Sequence, residues 1–415
     1  MLGVIKMVIK YENLEKLYYK YKNIDEEYEK RIKNNSTIVT DLMIYSEYKK
    51  KYIPLFFCFL PKHFKLQENI YKKSKEIEMS FQKLTSLMSS YTINKLFVNE
   101  ILYTNKVEGI YSSKKAIYSE LQNKRNNKEE KLVGIVRKYE NILKSNEEKL
   151  ENLTDFRKIY DNLFVDFLDM DNYKLDGEIF RKDAVNIKNN TMEIIHHGIF
   201  GEDNIKQEME KIIKFLNNDD IPSLIKISII HFFIEYIHPF YDGNGRFGRY
   251  LLSINLAKYL EKYTALSISF IIAQNKMKYY KSFKQVENKY NLGEVTFFVE
   301  NILENIIEGQ NSILDLIDET NYKVDQMNKI FKEIKKENKN LKNIEITILY
   351  IYIQDYLFNK FERIKNKDIA KLPNLNKTQQ TINIHISNLE KKGFIKKVSD
   401  RPLRYEIENW IAEKF

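Results

Sequence analysis

The stretch HPFYDGNGRFGR runs from His238 to Arg249 and interleaves an imidazole, a carboxylate, a carboxamide and two guanidinium groups with three glycines. The chain holds only 12 glycines in 415 residues, so the clustering of Gly243, Gly245 and Gly248 marks a backbone of special shape. An Asn-Gly pair taken alone reads as a common turn between two helices. Here the turn joins an apolar helix to the start of the next one. Glycines at a helix N-terminus leave backbone N–H groups open to an anion, and such a nest suits phosphate. Arg246 and Arg249 lie three apart and share a helix face. They can hold further phosphate oxygens in forked hydrogen bonds. Asp242 offers an oxygen ligand for Mg²⁺, the usual companion of a polyphosphate. His238 stands at the end of a rigid helix and can take a proton near neutral pH. Base, metal ligand, anion nest and arginine clamp together point to phosphoryl or nucleotidyl transfer, with positioning and charge stabilisation supplying most of the catalysis. No GxxxxGK[ST] occurs, so this is not a Walker loop.

The elements that must position these groups are expected to be mostly helical. Apolar content is 43%, which excludes global disorder, and Gly and Pro are scarce. Residues 1–70 are Lys/Tyr-rich and read as a helical region. A large domain follows at 71–310, with helical apolar spacing from Gln67 to Leu102 and again from Leu132 to Phe167. The charged run at 123–131 reads as an exposed turn. AVNIKNNTMEIIHHG breaks the helical rhythm: Val185 and Ile187 alternate with polar residues, then Met192, Ile194 and Ile195 follow an Asn189-Asn190 turn. That is a short β-hairpin signal. A helix starting at Pro222 is apolar on nearly all sides, hence buried and central. Residues 311–343 read as a helical linker. Residues 344–415 read as three helices and two short strands, the winged-helix order, with Asn376 capping the third helix, Ile382, Ile386 and Leu389 on one face, and Gly393 at its stop.

The net charge of +10 permits acidic partners without demanding them. Cys58 is the only cysteine, so no intramolecular disulfide can form and a cytoplasmic location is expected. Its apolar run, YIPLFFCFLP, is too short to span a bilayer and reads as a core element. The N-terminus lacks a signal-peptide layout, and no membrane partner is expected. The histidines are scattered apart from His196-His197, which leaves no zinc cluster.

HPFYDGNGRFGR resembles the HxFx[D/E]GNGRxxR signature of Fic-domain proteins, with every fixed position filled. The resemblance implies an all-α Fic fold with a small hairpin flap and covers roughly residues 95–305. It implies a protein adenylyltransferase that moves AMP from ATP to a Tyr, Ser or Thr hydroxyl of a protein, itself included, and releases pyrophosphate. By that resemblance His238 is the general base and Asp242 holds Mg²⁺. Gly243, Asn244 and Gly245 line the anion site, with Asn244 on the α-phosphate. Arg246 grips the outer phosphates and Arg249 meets the γ-phosphate. The hairpin at 184–197 is similar to the family's flap, which pairs with the target backbone by strand addition. It puts Ile194, Ile195, His196 and His197 over the nucleotide. NKMKYYKSF is similar to a paired-tyrosine segment and places Tyr279 and Tyr280 near the adenine. One position departs from the pattern: Glu287 stands where the family often has asparagine, and the asparagine is Asn288.

Upstream, TNKVEG resembles the family's inhibitory motif [S/T]xxxE[G/N], in a helix at about 95–110. Thr104 and Glu108 are i and i+4, on one helix face, and Gly109 follows. A carboxylate beside Arg249 would occupy the γ-phosphate's place. Two other functions share these residues. Glu108 could orient a water that releases AMP from modified proteins. Alternatively, residues 344–415 could bind DNA, with the Fic part as sensor, through Lys377, Gln379, Gln380 and Asn383 and through Arg401 and Arg404. That segment could instead mediate homodimer or partner contacts.

Overall fold

The computed structural model describes residues 11–121, 132–145, 148–188, 194–359, 363–372, 375 and 377–415, the side chains of Asn172 and Ile195 excepted. The expected turns at 123–131 and Asn189-Asn190, the strand residue Met192 and the cap Asn376 lie outside the described residues.

The chain begins with α1 (Leu14–Tyr21) and α2 (Asp25–Ile32), the hairpin β1 (Thr37–Ser46) and β2 (Lys51–Cys58), then α3 (Pro61–Lys83), α4 (Ser86–Val107) and α5 (Lys114–Leu121). It continues with α6 (Val133–Leu143), α7 (Leu153–Leu163), the hairpin β3 (Asn186–Lys188) and β4 (Ile194–His197), α8 (Glu202–Leu216), α9 (Ser223–Ile237) and α10 (Asn244–Tyr259). Then follow α11 (Lys262–Ala265), α12 (Ile268–Gln274), α13 (Lys276–Glu287) and the 42-residue α14 (Thr296–Glu337). The last elements are α15 (Asn343–Phe358), α16 (Asn366–Ile369), α17 (Gln379–Lys391), β5 (Ile395–Asp400), β6 (Leu403–Ile407) and α18 (Asn409–Ala412). The fold is mostly helical, with three antiparallel two-stranded hairpins among the described residues. No described helix is long and apolar enough to cross a membrane.

The chain forms two compact units: Met1–Glu78 with Leu96–Ile313, and Met79–Lys95 with Leu314–Phe415. The first is built around α9. Leu224, Ile225, Ile229, Phe232, Phe233 and Ile237 are all fully buried, on every side of that helix. Its continuous apolar run therefore reflects burial rather than an amphipathic face. Pro222 is the N-cap of α9 rather than its first turn residue. α10 packs against α9 and starts at Asn244, so the arginines of the motif sit in its first two turns.

The expectation of a wholly helical 1–70 is corrected by β1 and β2. Buried Thr40, Leu42, Ile44 and Ser46 alternate with outward-facing Asp41 and Tyr45, the period-2 pattern of a half-buried strand. The signal was present but lay among Lys and Tyr residues that suit either state. The free edge of β2 meets the segment after α13: the Phe56 N–H donates to the Gly293 carbonyl at 3.1 Å, and the Cys58 N–H to Thr296 Oγ1 at 3.0 Å. Cys58 is buried in this strand.

The second unit has its own core, with Ile348, Leu349, Ile353, Ile382, Ile386 and Leu389 at its centre. The expected linker at 311–343 belongs largely to α14. Met327, Ile334 and Leu341 lie in this core, so the segment packs instead of bridging freely. α17 is capped by Thr378, whose side chain accepts from the Thr381 N–H, rather than by Asn376.

Ile229→Ala in α9 removes a fully buried branched side chain with no room for collapse. The expected loss is about 2–5 kcal/mol of first-unit stability, read as a lower midpoint in urea unfolding.

Candidate active site

The chain leaves α9 at His238, which takes a left-handed conformation (φ 54°, ψ 64°). Arg181, which the sequence reading missed, fixes this corner. It is fully buried, and its guanidinium donates to the His238 carbonyl (2.8 Å), the Ile237 carbonyl (3.3 Å) and the Asp183 carbonyl (2.6 Å). A cation on the last carbonyls of a helix satisfies them and complements the dipole. Nothing in the spacing of Arg181 announces this, because its partners are backbone atoms 56 and 57 positions away. The His238 Nδ1 lies 3.4 Å from the Glu235 carbonyl. Burial, then the charge of His196, pushes the His238 pKa down to about 3. The ring is therefore neutral at physiological pH and able to accept a proton.

The loop from Pro239 to Gly243 closes on itself. The Asn244 side chain accepts from the Phe240 N–H (2.9 Å) and donates to the Phe240 carbonyl (2.8 Å). The carboxamide thus shapes the loop and keeps one N–H open. Gly243 has φ 76°, a conformation costly for any residue with a Cβ, and it is the N-cap of α10. The Tyr160 hydroxyl donates to the Asp242 carbonyl at 3.0 Å, and Phe240 stacks on the Tyr160 ring. The first turn of α10 thus presents its N–H groups from a rigid loop.

Asp242 Oδ1 accepts from the Gly243 N–H at 2.5 Å. No group of three or more His, Cys, Asp or Glu gathers into a metal cluster among the described residues. One carboxylate completed by substrate phosphates and water is how Mg²⁺ is ordinarily bound, so the donor set fits that ion.

The two arginines differ. Arg246 is buried, donates to the Tyr173 hydroxyl and lies 4.6 Å from the Phe164 ring centroid. Its Nε has no hydrogen-bond partner among the described residues. An orphaned guanidinium N–H in a buried position favours an anionic ligand. Arg249 is 1% exposed and fully engaged. Its Nε donates to Thr104 Oγ1 and its Nη2 to the Thr104 carbonyl, both at 3.0 Å. Its Nη1 pairs with Glu108 Oε1 at 2.8 Å. Burial opposes the charge of Arg249, but Glu108, with Tyr279, Tyr280 and Glu235 behind it, together outweigh that cost and hold the pKa above the usual guanidinium range. Thr104 lies in the last turns of α4, and Glu108 follows the helix end, where Gly109 has φ 73°. Gly245 makes the approach feasible: a Cβ there would stand 2.3 Å from Glu108 Oε1.

The flap and the tyrosines come to the same end of the unit. His196 pairs across the hairpin with Ile187, and His197 with Asn186. His196 Nδ1 lies 2.7 Å from Glu287 Oε2 and its Nε2 2.7 Å from the Tyr236 carbonyl. Burial disfavours its charge, but the two acceptors, Glu287 above all, raise its pKa. The departure at position 287 thus has a structural use. Asn288 is not at the site, since its side chain donates to Glu15 at 2.9 Å. His197 is exposed and meets Asn186 at 2.6 Å, and Ile194 is 47% exposed. Ile195 lies in β4, its side chain outside the described residues. Tyr279 is buried, with its hydroxyl 2.9 Å from His231 Nε2. Tyr280 is 38% exposed.

Glu235 was also missed. It lies on α9 one turn before His238, in line with His231, and its Oε1 is buried without a hydrogen bond among the described residues. Burial raises its pKa to about 7, Arg249 opposes the rise and Glu108 adds to it.

These residues resemble those of a known domain family. Residues 150–256 match the model of the Fic/DOC family. The match is narrower than the expected 95–305 and does not include Thr104–Gly109. A probable protein adenylyltransferase of Aquifex aeolicus is 27% identical over 162 residues, 39% of this chain and 46% of that one. The chain thus spans about half the length of the curated relative it matches. Among solved structures, a Fic family protein from Desulfovibrio desulfuricans shares 16% identity at a TM-score of 0.52, covering 85% of this chain and 98% of that one. Fic-1 from C. elegans shares 16% identity at a TM-score of 0.42, covering 63% and 75%. The Desulfovibrio structure shows a shared fold.

The Glu235 pKa is raised above that of an unfolded glutamate, so its contribution to stability is full below about pH 4.5 and lost as pH rises through about 7. Glu235→Gln removes the titration. Its melting temperature minus that of the wild type is expected to climb between those pH values, by the equivalent of about 3 kcal/mol. A pH-independent difference, read by scanning calorimetry, contradicts the shift.

Proposed function

We propose that the chain is an autoinhibited protein adenylyltransferase that transfers AMP from ATP to a hydroxyl side chain of a protein, itself included. The observation that carries the reading is the buried Arg249 held by Glu108 and Thr104 beside the first turn of α10. A cation so placed is a phosphate clamp, and its present partner is a carboxylate of similar charge and shape.

The reaction follows from the same groups. The neutral His238 Nε2 accepts the proton of the target hydroxyl as its oxygen attacks the α-phosphorus. The bond between that phosphorus and the bridging oxygen breaks, and pyrophosphate leaves. The Arg181 bonds keep the His238 backbone still while this occurs. The α10 N–H groups and the Arg246 guanidinium stabilise the growing charge on the phosphates. Mg²⁺ held by Asp242 would neutralise phosphate oxygens and fix the leaving group's geometry. β4 would receive the target backbone as an added strand.

Glu108 opposes this arrangement. While it pairs with Arg249, a γ-phosphate cannot, and ATP loses the contact that orients its α-phosphorus. Release costs the Glu108–Arg249 ion pair, which the anionic γ-phosphate replaces. The Thr104 bonds do not depend on the carboxylate and keep Arg249 in register after Glu108 leaves.

Transfer of label from α-labelled ATP with Mg²⁺ tests both parts. Glu108→Gly is expected to raise self-modification at least tenfold over wild type. Glu108→Gly/His238→Ala is expected to carry none. Equal labelling of wild type and Glu108→Gly removes the inhibition, and label persisting in the double variant removes His238 as base.

A further inference from the structure

The second unit carries a surface that the transfer reaction does not use. Residues 365–397, from before α16 into β5, hold eight lysines against Asp368 and Glu390, a net +6 of the chain's +10. Several of these lysines serve local acids: Lys371 pairs with Asp368, Lys392 with Glu345 and Lys397 with Asp400. Lys377, just before the N-cap of α17, and Lys391, its last residue, are exposed and have no ion-pair partner among the described residues. The 13-residue helix between them is about 20 Å long. That exceeds the width of a DNA major groove, about 12 Å, so such ends can reach both flanking phosphate strands.

Between these lysines the outward face of α17 is uncharged. Gln380 and Asn383 are exposed, and Ile384 is 56% exposed. Ile384 thus presents an apolar side chain beside two carboxamides on the face between the lysines. The Asn383 carboxamide is also held. Asn383 Oδ1 accepts from Gln379 Nε2 (2.8 Å) and from Asn366 Nδ2 (3.2 Å), and Asn366 Oδ1 accepts from the buried Tyr352 hydroxyl (2.9 Å). This chain of bonds runs from the core through α16 to the surface of α17. It occupies the Asn383 oxygen and leaves its N–H₂ as the outward group. Beyond α17, the β5–β6 turn carries exposed Arg401.

We propose that this unit binds double-stranded DNA, with α17 in the major groove. Lys377 and Lys391 neutralise phosphates on either side. The fixed Asn383 N–H₂ donates to a base-edge acceptor, a purine N7 or thymine O4, Gln380 reads a neighbouring edge, and Ile384 packs on a thymine methyl. Arg401 meets the backbone beside the groove. The ligand is a duplex because the readout needs stacked base edges at fixed spacing between two phosphate rows.

The test uses the full chain and a labelled mixed-sequence duplex, with anisotropy followed at rising salt. Log affinity is expected to fall linearly with log salt. Lys377→Glu/Lys391→Glu is expected to lose more than tenfold in affinity at ~0.1 M salt and to flatten the slope by about 2. Both lysines are exposed, and circular dichroism checks that the helices persist. Gln380→Ala/Asn383→Ala removes no charge and no core side chain. It is expected to keep the salt slope and to lose preference among duplexes recovered by selection from a random pool, and it decides the matter if the charge variant fails to fold. No binding at ~50 mM salt overturns the proposal. So does affinity unchanged in both variants, or equal affinity for a single strand of the same sequence. AMP labelling by the lysine variant is expected to match wild type, so failure here and failure of the transfer reading are separable.

Discussion

A guanidinium sealed from water needs a counter-charge, and the first unit is arranged around that constraint at Arg249. Three of its nitrogens are taken by α4 and the residue just after it: the Thr104 hydroxyl, the Thr104 carbonyl and the Glu108 carboxylate. An unpaired cation at this depth would cost several kcal/mol, so the arginine always has a partner and the only question is which one. Under the proposed function, the end of α4 and a phosphate are alternatives for one seat. On that reading both occupants are anions, so a shift of a few residues after Val107 would govern the site without unpacking the helices around it.

The same dryness sets the protonation states nearby. Burial holds His238 and His231 neutral and lifts Glu235 toward neutrality, while the paired His196 goes the other way. A neutral base, a charged clamp and a nearly neutral carboxyl stand within one turn of α9 and the facing turn of α10. Their separation in proton affinity comes from which of them have opposite charges or acceptors at hand. His196 has Glu287 and a carbonyl; His238 has a single long contact to a carbonyl. Rigidity comes from backbone capture. Arg181 closes the end of α9, and Asn244 ties its own loop.

Much of this was legible from residue order. The apolar run of α9 predicted a central helix, the glycine-rich turn predicted its end, and the arginine spacing put both cations on the next helix. These are local properties, fixed by periodicity and by what glycine and proline permit. The hairpin at 186–197 and the order of elements in the second unit followed from period-2 alternation and caps. Where local signals were mixed, the reading slipped. β1 alternates as a strand should, but Lys and Tyr tolerate both states, and its partner β2 is held by the segment after α13. Residues 311–337 look like a polar linker because only one side, carrying Met327 and Ile334, meets the core.

The sequence by itself determined which chemistry the chain can host, because the histidine, aspartate, glycines and arginines lie within twelve consecutive positions and a helix junction suffices to gather them. Only the tertiary structure decided the state of those groups. Arg181 lies 57 positions from the carbonyl it holds, Glu108 is far upstream of the arginine it occupies, and the Asn244 side chain is tied to the Phe240 backbone. Protonation, partner and orientation depend on solvent exclusion and on contacts between distant segments. Neither is encoded in local spacing.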